Sequence, residues 1–153
     1  MPADALYAAE DQWSAALDRG GVVDFFGSRM DLPVQRRFGD LDAMQRYAGF
    51  VLDLAPVRAA FPDAGSVRVR VRAGQRKAHY EPDTAVIAIP VVEQWAARES
   101  VLLHELAHHC GCSVDPAEGV RHGGLYRATM LRLVEAVLGE QAALMLRAGY
   151  DFA

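Results

Sequence analysis

Residues 101–109 read VLLHELAHH, and this stretch decides the fold. Within it, His104, Glu105 and His108 form an H-E-x-x-H pattern in an apolar run that predicts a largely buried helix. Residues four apart lie on one face of a helix, so both imidazoles can bind one metal ion with the glutamate beside them. Ionisable groups in an apolar helix are costly unless they are paired or bind a metal. The pattern therefore predicts a metal site with Glu105 as general base.

A third ligand is needed, because a catalytic zinc site takes three protein ligands and leaves a position for water. We expect His122, at the start of the next predicted helix, where Gly123 permits a close backbone approach. The longer H-E-x-x-H-x-x-G-x-x-H pattern is excluded, since Val114 stands at its last histidine. Carboxylates remain as alternative ligands, and these are Asp115, Glu118 and Glu135.

The hydrophobic pattern around the motif helix predicts an α+β fold. Strict alternation over residues 67–72 predicts a half-buried strand, and 77–81 and 84–89 flank a Pro-Asp turn that predicts an antiparallel hairpin. We expect these strands to form a small, mainly antiparallel sheet packed on the motif helix. Helices are predicted at 3–17, from the N-cap Asp40 to Leu54, and at 95–109, 122–138 and 141–147, whereas 22–32 reads as a strand or an extended arm.

Length and composition predict one globular domain over residues 1–153. A hydrophobic fraction of 52% and a net charge of −4 argue against disorder and against a general attraction to nucleic acid or membranes. The N-terminus lacks a signal-peptide pattern, and no apolar run approaches the ~20 residues of a membrane span. We therefore expect a cytoplasmic protein with neither a membrane nor a nucleic acid as partner. Cys110 and Cys112 are expected to be reduced thiols.

An arginine stripe on the alternating strand, Arg68, Arg70 and Arg72, continues into Arg76 and Lys77. Such a stripe can meet a phosphate backbone, but on an alternating strand it is typical of a solvated face. We expect the solvated face.

Amide hydrolysis also needs a donor for the oxygen that becomes negatively charged. Tyr126, one turn after His122, is the first candidate for this catalytic role. The alternative donors are Tyr80, His79 and His109. Residues 77–81 are expected to be an edge strand that binds an extended peptide or protein substrate by β-augmentation. The sequence thus favours a zinc-dependent peptidase over a zinc hydrolase of non-protein amides or a zinc-stabilised interaction module, which would use a fourth protein ligand.

Three segments, at 78–90, 101–109 and 122–126, resemble the SprT-like zinc metallopeptidases. They are more similar still to a group of small actinobacterial metallohydrolases of about this length whose substrate is unknown. The resemblance implies a minimal zincin fold of the gluzincin kind, with a small sheet over the motif helix. It also implies zinc at His104, His108 and His122, with Glu105 as the base. Many SprT-like proteases carry a further DNA-binding segment, and we find none in residues 1–153, so we do not expect proteolysis linked to DNA.

Overall fold

The protein is described by a computed structural model that covers residues 2–74, 77–90 and 94–152, and it confirms the α+β class. A short 3₁₀ helix, Gln94–Ala97, precedes the motif helix. The α-helices are α1 (Ala3–Arg19), α2 (Leu41–Asp53), α3 (Ala55–Ala60), α4 (Glu99–Val114), α5 (Pro116–Gly119), α6 (Gly124–Leu138) and α7 (Glu140–Phe152). The strands are β1 (Gly21–Phe25), β2 (Ser28–Leu32), β3 (Arg68–Val71), β4 (His79–Glu81) and β5 (Val86–Ile89).

Local signals set the elements of the N-terminal half. Helix α1 ends at Gly20, which adopts a φ of 62° that L side chains rarely adopt. Helix α2 begins at Asp40, whose carboxylate accepts a hydrogen bond from the backbone N–H of Ala43 at 2.8 Å. The segment left open as a strand or an arm is a hairpin, in which β1 pairs antiparallel with β2.

A three-stranded sheet with the order β3-β5-β4 lies in the middle of the chain. The predicted hairpin is confirmed, because β4 pairs antiparallel with β5. Strand β3, however, runs parallel to β5, so this sheet has one parallel and one antiparallel pairing and is mixed, whereas a mainly antiparallel sheet was expected. All four residues of β5 are buried, and a continuous apolar run of this kind takes the centre of a sheet. Strand β4 therefore lies at one edge, as expected, but it covers His79–Glu81 and is shorter than the predicted 77–81.

The motif helix differs from its expected bounds at both ends. At its start, Gln94–Ala97 form a 3₁₀ helix where the first turn of the motif helix was expected. At its end, α4 continues through Gly111 to Val114. Gly111 lies inside the helix and packs against Gly119. A Cβ added to Gly111 would come 3.3 Å from the Cα of Gly119. The short helix α5 forms in the predicted loop, and α6 begins two residues after His122.

The centre of the core is α4, which contacts α2, α5, α6 and β4. Leu102, Leu103 and Leu106 are buried on it, together with residues of every layer of the fold. No helix within the described residues is long and apolar enough to cross a membrane. The cytoplasmic location stays a prediction.

The arginine stripe forms contacts within the sheet. Arg70 forms an ion pair with Glu81 of β4, and Nη1 of Arg72 donates a hydrogen bond to the carbonyl of Lys77 at 2.7 Å. Arg76 lies outside the described residues. Arg70 thus joins β3 to β4, and Arg72, just after β3, contacts the segment that leads into β4.

Candidate metal centre

The structure brings the three histidines predicted as ligands to one point. His104 and His108 lie one turn apart on α4, and His122 comes from the bend just before α6. Their ligand atoms all lie within 4.8 Å of one another, close enough to hold one metal ion. His104 and His108 are almost fully buried, and His122 is half-buried.

The spacing of the three Nε2 atoms suits a tetrahedral metal. Nε2 of His122 lies 3.1 Å from Nε2 of His104 and 3.1 Å from Nε2 of His108. Zinc–nitrogen bonds of about 2.0–2.1 Å place neighbouring ligand nitrogens about 3.3 Å apart in a tetrahedral site. The same atoms can also hydrogen-bond to one another, depending on which ring nitrogen carries the proton. The donor set and its spacing therefore fit zinc.

Hydrogen bonds at Nδ1 fix the orientation of the two helix histidines. Nδ1 of His104 lies 2.6 Å from Oε1 of Glu10, and Nδ1 of His108 lies 2.8 Å from the carbonyl oxygen of Gly119. Carboxylate and carbonyl oxygens only accept, so both Nδ1 atoms carry the proton. The Nε2 atoms then face the centre as ligands, an arrangement typical of metal-binding histidines.

Glu10, on α1, is the centre of a buried network behind His104. Its Oε2 accepts hydrogen bonds from the hydroxyls of Tyr126 at 2.8 Å and Tyr150 at 2.7 Å. Burial alone would raise the pKa of Glu10, but the charge and the hydrogen bond of His104, with the two hydroxyls, lower it. Burial likewise opposes the charged form of His104, yet the Glu10 carboxylate raises the pKa of that histidine. Glu10 is therefore an ionised partner that strengthens His104 as a ligand.

Gly119 determines how closely α5 approaches α4. A Cβ at this position would lie 2.3 Å from the backbone nitrogen of Cys112 and 2.5 Å from its Cα, distances that real Cβ atoms essentially never show. Only glycine allows the two backbones to come this close. The contact places the Gly119 carbonyl on Nδ1 of His108.

His108 and His122 are neutral imidazoles at neutral pH. Burial lowers the pKa of His108 to about 4, with the charge of His104 adding to the effect. Burial and the charge of His104 also lower the pKa of His122. Neutral imidazole is the form that binds a metal ion.

Glu105 lies beside the three nitrogens at the inner end of a cleft. Its Oε1 is 4.0 Å from Nε2 of His104, on the side where the ligand atoms converge. Burial raises the pKa of Glu105 above its usual range. The cleft, of about 360 Å³, lies between α1 and α4, and its lining includes Glu105, Tyr7, Lys77, Arg98 and Ser100. His104 also lines this cleft, so a reacting group in it can reach the base and one of the three ligands.

Tyr7 covers two of the ligands with its ring. The ring stacks on His104 with centroids 5.4 Å apart and planes at 15°, and it meets His122 edge-on at 5.2 Å. Nζ of Lys77 lies 3.7 Å from the centroid of the same ring. Burial and the charge of Glu105 raise the pKa of Tyr7 to about 12.

Tyr126, predicted as a catalytic donor, lies behind the ligands. Its side chain is fully buried, and its hydroxyl lies 2.6 Å from Nδ1 of His104 and donates to Glu10. Nδ1 is the ring nitrogen that faces away from the point where the three Nε2 atoms meet. This placement does not support a contact between the Tyr126 hydroxyl and a substrate.

The alternative donors also lie away from the three nitrogens. The hydroxyl of Tyr80 bonds to Nδ1 of His109 at 2.9 Å, and Nε2 of His109 donates to the carbonyl of Gly65 at 2.7 Å. Burial lowers the pKa of His109, so the ring is neutral and joins α4 to β4. His79 is exposed on β4.

The alternative ligands do not join the metal cluster within the described residues. Asp115 caps α5, where its carboxylate accepts from the backbone N–H groups of Ala117 and Glu118. Cys110 is buried and Cys112 is half-buried, and both are free thiols, as expected. Burial raises the pKa of Cys110 to about 12, which makes it a poor metal ligand and nucleophile.

Sequence reasoning missed Glu10 and Tyr7. Glu10 had a detectable signal, because it lies on the apolar stripe of α1 with Leu6, Trp13 and Leu17, where a charge needs a buried partner. Tyr7 had no such signal in the sequence, because an aromatic residue in an amphipathic helix is ordinarily part of the core.

Comparisons with protein-family models, with curated proteins and with solved structures gave no match. The likeness to SprT-like metallopeptidases therefore depends on the sequence segments quoted above. The function has to be argued from the site itself.

Proposed function

We propose that the protein is a zinc-dependent metallohydrolase that cleaves peptide bonds, in the manner of the SprT-like metallopeptidases it resembles. One observation carries the proposal, namely three histidine Nε2 atoms that converge at metal-binding distance beside the Glu105 carboxylate. His104 and Glu105 line an open cleft. Three protein ligands with a neighbouring carboxylate are the composition of a catalytic zinc site.

Glu105 is the general base of this proposal. When bound, zinc supplies Lewis-acid chemistry, lowering the pKa of a water to about 7 and polarising a carbonyl group. A Glu105 oxygen takes the proton of the attacking water and passes it to the leaving nitrogen.

Tyr126 has a positioning role in this proposal, in place of the oxyanion role expected from the sequence. Its hydroxyl and that of Tyr150 hold the Glu10 carboxylate, and Glu10 in turn holds His104. Such outer hydrogen bonds orient a ligand and make it more basic. Removing one should weaken metal binding before it affects the chemical step.

The edge strand β4 and the cleft support an extended peptide as substrate. Strand β4 pairs with β5 on one side, and within the described residues no strand pairs with its other side. Lys77 and Ala78, which lead into β4, line the cleft with Glu105. A peptide added along this edge would gain backbone hydrogen bonds, with a side chain in the cleft.

The site favours an enzyme over a structural zinc module. Structural zinc sites close with four protein ligands, whereas in the described part of the chain the cluster has three. A zinc hydrolase of non-protein amides would use the same ligands, so the substrate class needs its own experiment.

The experiment is a peptide digest by zinc-loaded protein. Wild type and Glu105→Gln are incubated with denatured casein and with a library of acetylated, amidated decapeptides, and new termini are identified by mass spectrometry. Wild type should produce internal cleavages that 1,10-phenanthroline abolishes, and Glu105→Gln should lose at least about 100-fold in rate.

Equal product levels with wild type and Glu105→Gln would contradict the proposal. If small dipeptide amides are cleaved but longer peptides are not, the substrate is a non-protein amide. If the protein binds zinc but hydrolyses no substrate, the zinc-stabilised interaction module becomes the favoured function.

A further inference from the structure

We propose that Tyr7 is a catalytic residue, whose hydroxyl donates a hydrogen bond to the carbonyl oxygen of the scissile bond as that oxygen gains negative charge. The inference rests on the proposed hydrolase function, which supplies the reaction. It assigns the donor role that the sequence had given to Tyr126, Tyr80, His79 or His109.

The other tyrosine hydroxyls already have buried partners. The chain has five tyrosines. The bonds of the other four run from Tyr47 to Glu99, from Tyr80 to His109, and from both Tyr126 and Tyr150 to Glu10. Among residues 2–74, 77–90 and 94–152 the Tyr7 hydroxyl has no hydrogen-bond partner, and it is not one of the enclosed unpartnered atoms, so it is open to solvent on a half-buried residue. A hydroxyl in that condition is available to a ligand.

Tyr7 lies where such a donor is needed. Its ring contacts two of the three ligand imidazoles, at 5.4 Å from His104 and 5.2 Å from His122. Tyr7 and Glu105 line the same cleft. An oxyanion donor has to lie about 2.7–3.1 Å from the oxygen that becomes charged. Among the tyrosines, Tyr7 is the one that touches both the ligands and the cleft.

Lys77 contacts the face of the Tyr7 ring. Its ammonium lies 3.7 Å from the ring centroid, within the range of a cation–π interaction. The carbonyl of Lys77 accepts a hydrogen bond from Arg72 at 2.7 Å, which joins this segment to the end of β3. A donor that is fixed before the substrate arrives needs no reorganisation during the reaction.

Tyr7→Phe tests the proposal, because it removes the hydroxyl and keeps the ring on the histidines. With a peptide that wild type cleaves, kcat should fall about 100-fold, while KM and zinc affinity stay within about threefold. Tyr126→Phe should behave differently and lose zinc affinity, since its hydroxyl acts on Glu10. Tyr47→Phe, which removes a buried hydroxyl away from the cleft, should keep kcat near the wild-type value.

A second measurement uses a tetrahedral anion and needs no turnover. Calorimetry of zinc-loaded wild type and Tyr7→Phe with N-phosphoryl-leucinamide should show binding at least about tenfold weaker in the variant. A Tyr7→Phe variant with the kcat of wild type would overturn the role of Tyr7. The role would also fail if wild type and Tyr7→Phe bind the probe equally, or if wild type does not bind it. If wild type cleaves no peptide, the proposed function fails, and the probe comparison still decides whether Tyr7 contacts the anion.

Discussion

Replacing Gly119 by alanine tests the link between helix packing and ligand orientation. An added Cβ would lie 2.3 Å from the backbone nitrogen of Cys112, whereas ordinary contacts begin at 3.4 Å. Helix α5 must therefore move away from α4 by about 1 Å, because the neighbouring atoms are backbone and cannot rotate aside. The movement pulls the Gly119 carbonyl from its 2.8 Å hydrogen bond with Nδ1 of His108.

Two terms set the expected cost of Gly119→Ala. Overpacking costs about 1–3 kcal/mol, and a lost hydrogen bond costs about 1 kcal/mol, so unfolding should become easier by about 3 kcal/mol. For a chain of this length that lowers the Tm by about 6–12 °C. Losing the partner that orients His108 should also weaken zinc binding about 10–100-fold.

The assays separate the two effects. Urea unfolding in EDTA measures the metal-free stability, and competition with a chromophoric chelator measures the zinc affinity. Gly49→Ala is the matched control, because Gly49 is exposed on α2 with nothing within 4 Å of an added Cβ, and it should gain about 0.5–1 kcal/mol. If Gly119→Ala matches wild type in both stability and zinc affinity, the reasoning is refuted.

Three further predictions concern the buried network, the thiols and the sheet edge. Glu10→Gln should lower zinc affinity about 10–100-fold in the chelator assay, because a neutral amide replaces the ionised partner of His104. An unchanged affinity would count against Glu10 as the residue that orients His104. Iodoacetamide at pH 8 should label Cys112 but not the buried Cys110 in native protein, which a peptide map would show; labelled Cys110 would contradict the fold around it. Gln45→Ala should cost about 1–2 kcal/mol in urea unfolding, because its amide bonds the carbonyl of Val67 and the N–H of Val69 at the edge of β3; a stability equal to wild type would refute this.

The sequence predicted what depends on short-range spacing. His104 and His108 share a face because they are one turn apart, and His122 follows in the next bend, so their meeting required little tertiary information. The N-cap of α2 and the β4–β5 hairpin are local in the same sense, and both are confirmed.

The parts that the sequence missed depend on distant contacts. Glu10 lies 94 residues before His104, and nothing local says which buried group its carboxylate meets. Gly111 looked like a helix end because glycine usually ends helices, but its contact with Gly119 keeps it inside α4. The parallel pairing of β3 with β5 follows from the return of the chain through the middle of the sheet, which alternation alone does not reveal.

The most direct test of the account is zinc content per chain in natively purified protein. Elemental analysis of wild type, Glu105→Gln and His122→Ala should give about one zinc in the first two and far less in the third, because the proposal makes His122 a ligand and Glu105 a base that does not bind the metal. His79→Ala, which alters an exposed histidine away from the cluster, should keep the wild-type content. Little zinc in wild type even after zinc is supplied, or full occupancy in His122→Ala, would contradict the three-histidine site and the hydrolase built on it.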